Sequence, residues 1–394
     1  MTAPARGRLG ELAQLFLKLG VVGFGGPAAH IAMMEDEVVR RRHWLSREEF
    51  LDYLGAANLI PGPNSTEMAI FVGRARAGTA GLLVAGACFI APAVLIVTAV
   101  AWAYTRLGNL PAAEGVLVGV KPVVIAVVLQ ALWGLGHAAV KSAWLGFLGA
   151  AAVAATALGA NELAVLAAAL VLGVAWWRGG RRGRRGPAGG PPRAAAGLAL
   201  PGASLLRPAA AAGAALAPAG IGLWPLFGIF FKVGAVLFGS GYVLLAFLRG
   251  DLVTRLHWLT ERQLLDAVAV GQVTPGPVFT TATFVGYLLR GVPGAAVATL
   301  GIFLPAFVYV GLSGVLLPRL QRSEAARAAL DAVNVASLAL MAVVTWQLAG
   351  AALVDPWTVL LAAMAAVLLL RWRVNASWLV LGGGLAGLLL RSLA

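Results

Sequence analysis

Asn58-Leu59-Ile60-Pro61-Gly62-Pro63-Asn64 returns as Gln272-Val273-Thr274-Pro275-Gly276-Pro277-Val278, each Pro-Gly-Pro lying in the middle of an apolar segment. Prolines remove backbone donors and fix φ, so neither segment reads as one continuous helix. Working outward, Phe16, Lys18, Gly20, Phe24 and Gly25 recur as Phe230, Lys232, Gly234, Phe238 and Gly239, and His43-Trp44-Leu45 as His257-Trp258-Leu259. Asp52 recurs as Asp266, and the pairs share one offset, 214 residues, which predicts an unbroken register over residues 16–90. A duplicated apolar half with broken segments is the pattern of a transporter built around an internal two-fold axis.

Composition sets the solvent. The 394 residues are 60% hydrophobic and 12% charged, with a mean hydropathy of +0.87, against roughly 45–50% apolar residues in soluble domains. Runs such as Gly78–Tyr104 and Ala295–Leu317 reach the ~20 residues that span a bilayer as helix, and they lack the alternation of a β-barrel. The net charge of +14 sits in short loops between apolar runs, which reads as cytoplasmic loop charge and excludes nucleic acid as the partner. The single cysteine, Cys88, gives no disulfide framework or thiol metal site, and the polar start Met1–Gly10 shows no signal-peptide cleavage pattern.

Six apolar segments are expected in each half: 11–34, 48–73, 78–104, 114–139, 143–159 and 161–178, then 225–248, 262–287, 293–317, 326–349, 355–371 and 375–392. The domains are therefore repeat 1–178, an Arg/Gly/Pro- and Ala-rich linker 179–222, and repeat 223–394. The fold expected is an all-α integral membrane protein, a polytopic helical bundle of two homologous, inverted repeats with discontinuous or re-entrant Pro-Gly-Pro segments. If each second segment dips in and returns, each half has five spans and the halves are inverted. Most basic loops, including Arg40–Arg42, the linker, Arg319/Arg322 and Arg371/Arg373, then face the cytoplasm. Arg6, Arg8, Arg249 and Arg255 resist this count, and 10, 12 and 13 spans all stay open.

Chemistry-bearing residues are few. Lys18 and Lys232 are two of only four lysines and occupy matched positions; a lysine kept at a helix centre costs roughly 2.5–3.5 kcal/mol on insertion scales, so both are read as anion-binding charges. Gly25, Gly26, Gly239 and Ser240 belong to glycine clusters that let backbone amides approach a ligand. Beyond Pro61-Gly62-Pro63 and Pro275-Gly276-Pro277, new half-helices offer their first amides to an anion. Asn64, Ser65 and Thr66, and in the second copy Thr280 and Thr281, add uncharged donors there. Asn58 and Gln272 precede the breaks. Glu67, standing opposite Thr281, and the matched Asp52 and Asp266 are read as proton-coupling carboxyls or ion-pair partners. Glu35, Asp36 and Glu37 read as a solvated loop cluster, and Ser46 and Thr260 as N-caps of the next half-helices. No metal site, cofactor site, nucleophile elbow or phosphate-binding loop is found.

Gly23-Phe24-Gly25-Gly26-Pro27, the His-Trp-Leu-Ser/Thr turn and Asn58–Asn64, all echoed in the second half, resemble the long-chain chromate ion transporter family over nearly the whole chain. The resemblance implies a bacterial or archaeal inner-membrane protein that expels chromate, a sulfate-like divalent oxyanion, and confers chromate resistance without being an enzyme. The partners expected are the oxyanion and the lipid bilayer, with a homodimer left open. Transport of sulfate or another oxyanion is the first alternative, and a membrane enzyme acting on lipid phosphates the second.

Overall fold

The computed structural model describes residues 5–24, 26–107, 111–184, 221–238, 241–372 and 374–393. The expectations for Gly25, Gly239, Ser240 and the linker between residues 185 and 220 lie outside these. No strand occurs among the described residues. The first half runs α1 (Ala5–Val22), α2 (Gly26–Glu35), a π-helical turn (Asp36–Arg41), α3 (Arg47–Ala57), α4 (Asn64–Leu107), α5 (Pro111–Ala139), α6 (Ala143–Ala157) and α7 (Glu162–Arg184). The second runs α8 (Leu223–Val236), a 3₁₀ turn (Gly241–Val243), α9 (Leu244–Leu248), a π-helical turn (Arg249–Arg255) and α10 (Glu261–Val273). It continues through a 3₁₀ turn (Val278–Thr280) into α11 (Thr281–Arg322), α12 (Glu324–Ala352), α13 (Pro356–Trp372) and α14 (Ala376–Leu393).

Local chemistry sets the helix ends. Ser46 and Thr260 each accept a bond from the amide three residues on, and Glu49 and Gln263 return it to the capping residue's own amide, so two otherwise orphaned donors are satisfied at each start. His43 and His257, at φ +50° and +52°, turn the chain between the π-helical turn and the capped helix. Both Pro-Gly-Pro segments are non-helical, as expected. The apolar segments 11–34 and 225–248 are broken as well, at Gly23-Phe24 and after Val236. There the Gly23 carbonyl accepts from a buried side chain, His30 Nε2 at 2.8 Å, and from the other half of the molecule, so it is withheld from the helix ladder.

α4 and α11 each bend at one glycine-only position, Gly78 (φ +62°, ψ −146°) and Gly291 (φ +62°, ψ −150°). At each bend the helix doubles back: Gly73 packs on Gly81, and Gly286 on Gly294, backbone against backbone, although a straight helix would hold residues eight apart at about 12 Å. These pairs lie 213 residues apart, not 214. The unbroken register expected over 16–90 therefore fails by one residue between the Pro-Gly-Pro and the bend. The shortening falls where the second copy enters its helix through a 3₁₀ turn and the first starts an α-helix directly. Counted from the bend, the residue opposite Glu67 is Thr280.

The halves are interlaced. α1 packs on α4 and α8 on α11, while α4 meets α11 and α5 meets α12 across the centre. α6 and α7 then lie on α12 of the other copy, and α13 and α14 on α5. Glycines permit this closeness; on α5, a Cβ at Gly119 would run into the backbone of Gly383 and Gly387 on α14. Among the described residues, five helical stretches are long and apolar enough to cross a membrane: Asn64–Leu107, Gly115–Ala139, Glu162–Gly179, Val278–Ser313 and Glu324–Ala352. Trp224 and Trp346, 82% and 81% exposed, show that the outer surface is built for lipid.

Candidate functional site

The Pro-Gly-Pro of each copy is tied to the glycine cluster of the other. The Gly62 amide donates to the Leu237 carbonyl at 2.9 Å, and the Gly276 amide to the Gly23 carbonyl at 2.9 Å. Residues 62 and 276, like 23 and 237, are equivalent in the repeat, so the molecule makes one cross-over bond twice. This pair of bonds brings the first turn of α4 and the turn leading into α11 to one place.

Between them lies a cavity of about 130 Å³, lined by Pro27, Pro63, Asn64, Ser65, Leu135, Gly241, Val278 and Phe279. Its volume is that of about four waters at ~30 Å³ each. The amides of Thr66 and Glu67 are occupied by the Pro63 carbonyl at 2.7 and 3.0 Å, and that of Thr280 by the Pro277 carbonyl at 3.0 Å. Those of Asn64 and Ser65, and of Val278 and Phe279, are first-turn donors without an intrahelical acceptor. These four residues line the cavity. Two positive helix ends with free N–H groups favour an anion.

The side chains divide less evenly than the sequence suggests. Ser65 is buried, and the buried Thr66 hydroxyl has no partner among the described residues. Thr280 and Thr281, expected to offer donors, spend their hydroxyls on the Pro277 and Val278 carbonyls, both at 2.8 Å. The donor set is thus weighted to the first copy. Asn64 donates to Asn58 at 2.6 Å, while Gln272 is buried with its amide nitrogen unpartnered among the described residues. Glu67 is wholly buried, neither carboxyl oxygen has a partner among the described residues, and one oxygen lies against Gly62. Gly26 opens α2 at φ +79°.

Lys18 and Lys232 are held elsewhere. Lys18 donates to Glu37 at 2.7 Å, Arg42 reaches the same carboxylate at 3.2 Å, and Lys232 pairs with Asp251, which also takes Arg255 at 2.9 Å. Neither lysine lines the cavity. Glu37, expected in a solvated cluster, is 8% exposed because the π-helical turn points it back at α1. Its equivalence to Asp251 was a signal in the sequence. The hydrogen bond from Lys18 holds the Glu37 carboxyl below its ordinary range, helped by Arg42 and opposed by burial. A depressed carboxylate stabilises the fold above the unfolded value of about 4.3 and stops doing so as pH falls through the folded value. Lys18→Met is therefore expected to lower the melting temperature in detergent at pH 7, and its difference from the parent protein to shrink as pH falls through the lowered folded value of Glu37.

A third constellation joins Asp266 to Lys121 at 3.0 Å, with Tyr104 donating to the same carboxylate at 2.9 Å. Asp52, the repeat equivalent of Asp266, is exposed on α3. Lys121 is one of the four lysines and lies within the apolar segment 114–139. No group of three metal-ligating side chains occurs among the described residues.

Interlaced copies with an apolar exterior and a donor-lined cavity at their crossing define a multi-pass membrane transporter. A family model described as Chromate transporter matches residues 10–174 and again 224–388. A chromate transport protein of Cupriavidus metallidurans is 34% identical over 98% of this chain and 94% of its own length. One of Pseudomonas aeruginosa is 31% identical over 96% and 91%. An uncharacterized transporter of Bacillus subtilis, 32% identical, covers 33% of this chain but 74% of its own length. No solved structure matches. The chain belongs to the chromate transporter family, a family of transporters and not of enzymes.

Proposed function

We propose that the protein exports chromate from the cytoplasm across the inner membrane of a bacterial or archaeal cell, and so confers chromate resistance. The supporting observation is the 130 Å³ cavity lined by first-turn residues of both copies. Four backbone donors and the Ser65 hydroxyl suit the oxygens of a tetrahedral oxyanion, and two helix ends supply positive potential. Pro63, Asn64, Ser65, Val278 and Phe279 hold the ion; Asn58, Thr66 and Gln272 flank it. Lys18 and Lys232 raise the potential on the way in while fastening the π-helical turns.

The copies are inverted in the membrane, with α3 and the first arm of α4 forming a re-entrant hairpin in which Tyr53 stacks on Phe71 at 5.4 Å. α10 and the first arm of α11 form its counterpart. Rocking one copy against the other then alternates access to the crossing point. Export of a dianion from a cell that is negative inside gains about 2.3 kcal/mol per charge per 100 mV. Glu67, beside Gly62 and without a charge partner among the described residues, carries a proton in exchange.

Uptake of ⁵¹Cr-labelled chromate by everted vesicles containing the full chain is expected to exceed that of empty-vector vesicles and to fall when excess sulfate competes. Vesicles that take up sulfate and ignore chromate would refute the assignment.

A further inference from the structure

The two copies differ in how one helix is packed. In the second copy α10 is shut against its surroundings: it packs on α5, α11, α12 and α14, and Leu264 to Ala269 are buried. In the first copy the equivalent α3 packs on α4, with Leu51 53% exposed and Asp52 and Gly55 exposed. α10 touches α5, whereas on the other side a cavity of about 220 Å³ lies between α12, the end of α5 and the residues that follow α3, its walls including Asn58, Asn64, Lys141, Asp331, Asn334 and Ser337. α5 and α12 start and end 213 residues apart, so Asn334 on the open wall is the counterpart of Lys121. Ser337 is 1% exposed with its hydroxyl unpartnered among the described residues, as expected of a wall that a closing element or a ligand completes. The packing made by α10 is therefore not made by α3.

We propose that Lys121 is a substrate-binding cation of the transporter, masked here by Asp266 and Tyr104 and uncovered when α10 swings from α5 as α3 stands away from α12. The proposal rests on the alternating-access reading. Its logic is counter-ion exchange. Lys121 is 8% exposed and Asp266 fully buried, and a charge left unpaired at such a depth is strongly unfavourable. Opening α10 removes the carboxylate from Lys121 and admits water and anions to the same wall. A dianion that takes the place of Asp266 stabilises the open state selectively, and only such differential binding lets a ligand shift a conformational equilibrium. Asp266 thus competes with the substrate for one lysine and serves as its placeholder. The wall facing α3 has Asn334 at the equivalent place on α12, so the two openings are chemically unequal: one wall presents an amide and the other a full positive charge.

The test uses the purified full chain in detergent, with equilibrium binding of labelled chromate, and vesicle transport alongside. Asp266→Asn removes the competitor and keeps the lysine; it is expected to tighten chromate binding about tenfold, within the usual range of coupling between a ligand and a conformational change. Lys121→Met should weaken binding and raise KM, Lys121→Arg should restore both, and Lys121→Met/Asp266→Asn should remain as weak as Lys121→Met. A purely structural ion pair gives the opposite pattern: the double variant, with no charge to bury, regains parental binding, and Asp266→Asn binds no tighter than the parent. Either of those results overturns the proposal. If Lys121→Met fails to elute as a folded protein, the Asp266→Asn arm decides alone. Because binding is measured separately, parent vesicles that move no chromate would refute the transport assignment and leave the lysine assignment to the binding data.

Discussion

Gly276→Val is expected to slow chromate transport on the order of 100-fold while leaving the protein in the membrane, and Gly62→Val to do the same. Gly276 sits at φ +94° and Gly62 at φ +140°, conformations that cost a residue with a β-carbon about 1–3 kcal/mol. Each also donates the amide that ties its Pro-Gly-Pro to the opposite copy. A Cβ on Gly276 would come within 2.8 Å of the Ala93 Cβ, and one on Gly62 would strike the Glu67 carboxylate. Adding about 1 kcal/mol for the lost hydrogen bond gives about 2–4 kcal/mol, or on the order of 100-fold in rate at 1.36 kcal/mol per decade. The rate should be normalised to the amount in the membrane, since the strain is confined to the crossing point. Gly55→Ala is the contrast: Gly55 lies on the exposed α3 with open space around its Cα, and its transport should match the parent.

The second large effect is expected at Ser65. Ser65→Leu puts an isobutyl group into a cavity of about 130 Å³ and removes a hydroxyl donor, so chromate binding should be lost. Ser65→Ala keeps the space and removes the donor alone. A hydrogen bond to a charged group contributes about 1.5–3 kcal/mol, so Kd should rise by at least about tenfold. Thr281→Val tests the unequal division between the copies. Its hydroxyl already donates to the Val278 carbonyl, and the substitution should change Kd less than Ser65→Ala does. Equal losses at the two positions would mean that the second copy contributes side-chain donors after all.

The residues that the sequence made legible act locally. Pro61 and Pro63 break a helix wherever they stand, Ser46 and Thr260 cap one, and identical residues 214 apart declare the duplication. What stayed hidden depends on which helices touch. The cross-over bonds of Gly62 and Gly276 join residues from opposite copies, and Lys121 meets Asp266 across 145 positions of sequence. Lys18 and Glu37 are nearer in sequence, but the break at Gly23-Phe24 lies between them and turns α2 back, a fold that apolar periodicity cannot register. The one-residue shortening ahead of Gly291 was masked because the Pro-Gly-Pro prolines still match at 214. The unequal packing of α3 and α10 is a matter of which helices touch, and two copies that align residue for residue through this stretch carry no mark of it in sequence.

Anomalous scattering from chromium in crystals of the full chain grown with chromate tests the central claim most directly. The oxyanion site at the crossing of the two copies predicts one chromium peak in the cavity beside Ser65 and Phe279, with ligand oxygens about 2.7–3.2 Å from the free amides of residues 64, 65, 278 and 279. Chromium bound instead at Lys18 or Lys232, with that cavity empty, would contradict it.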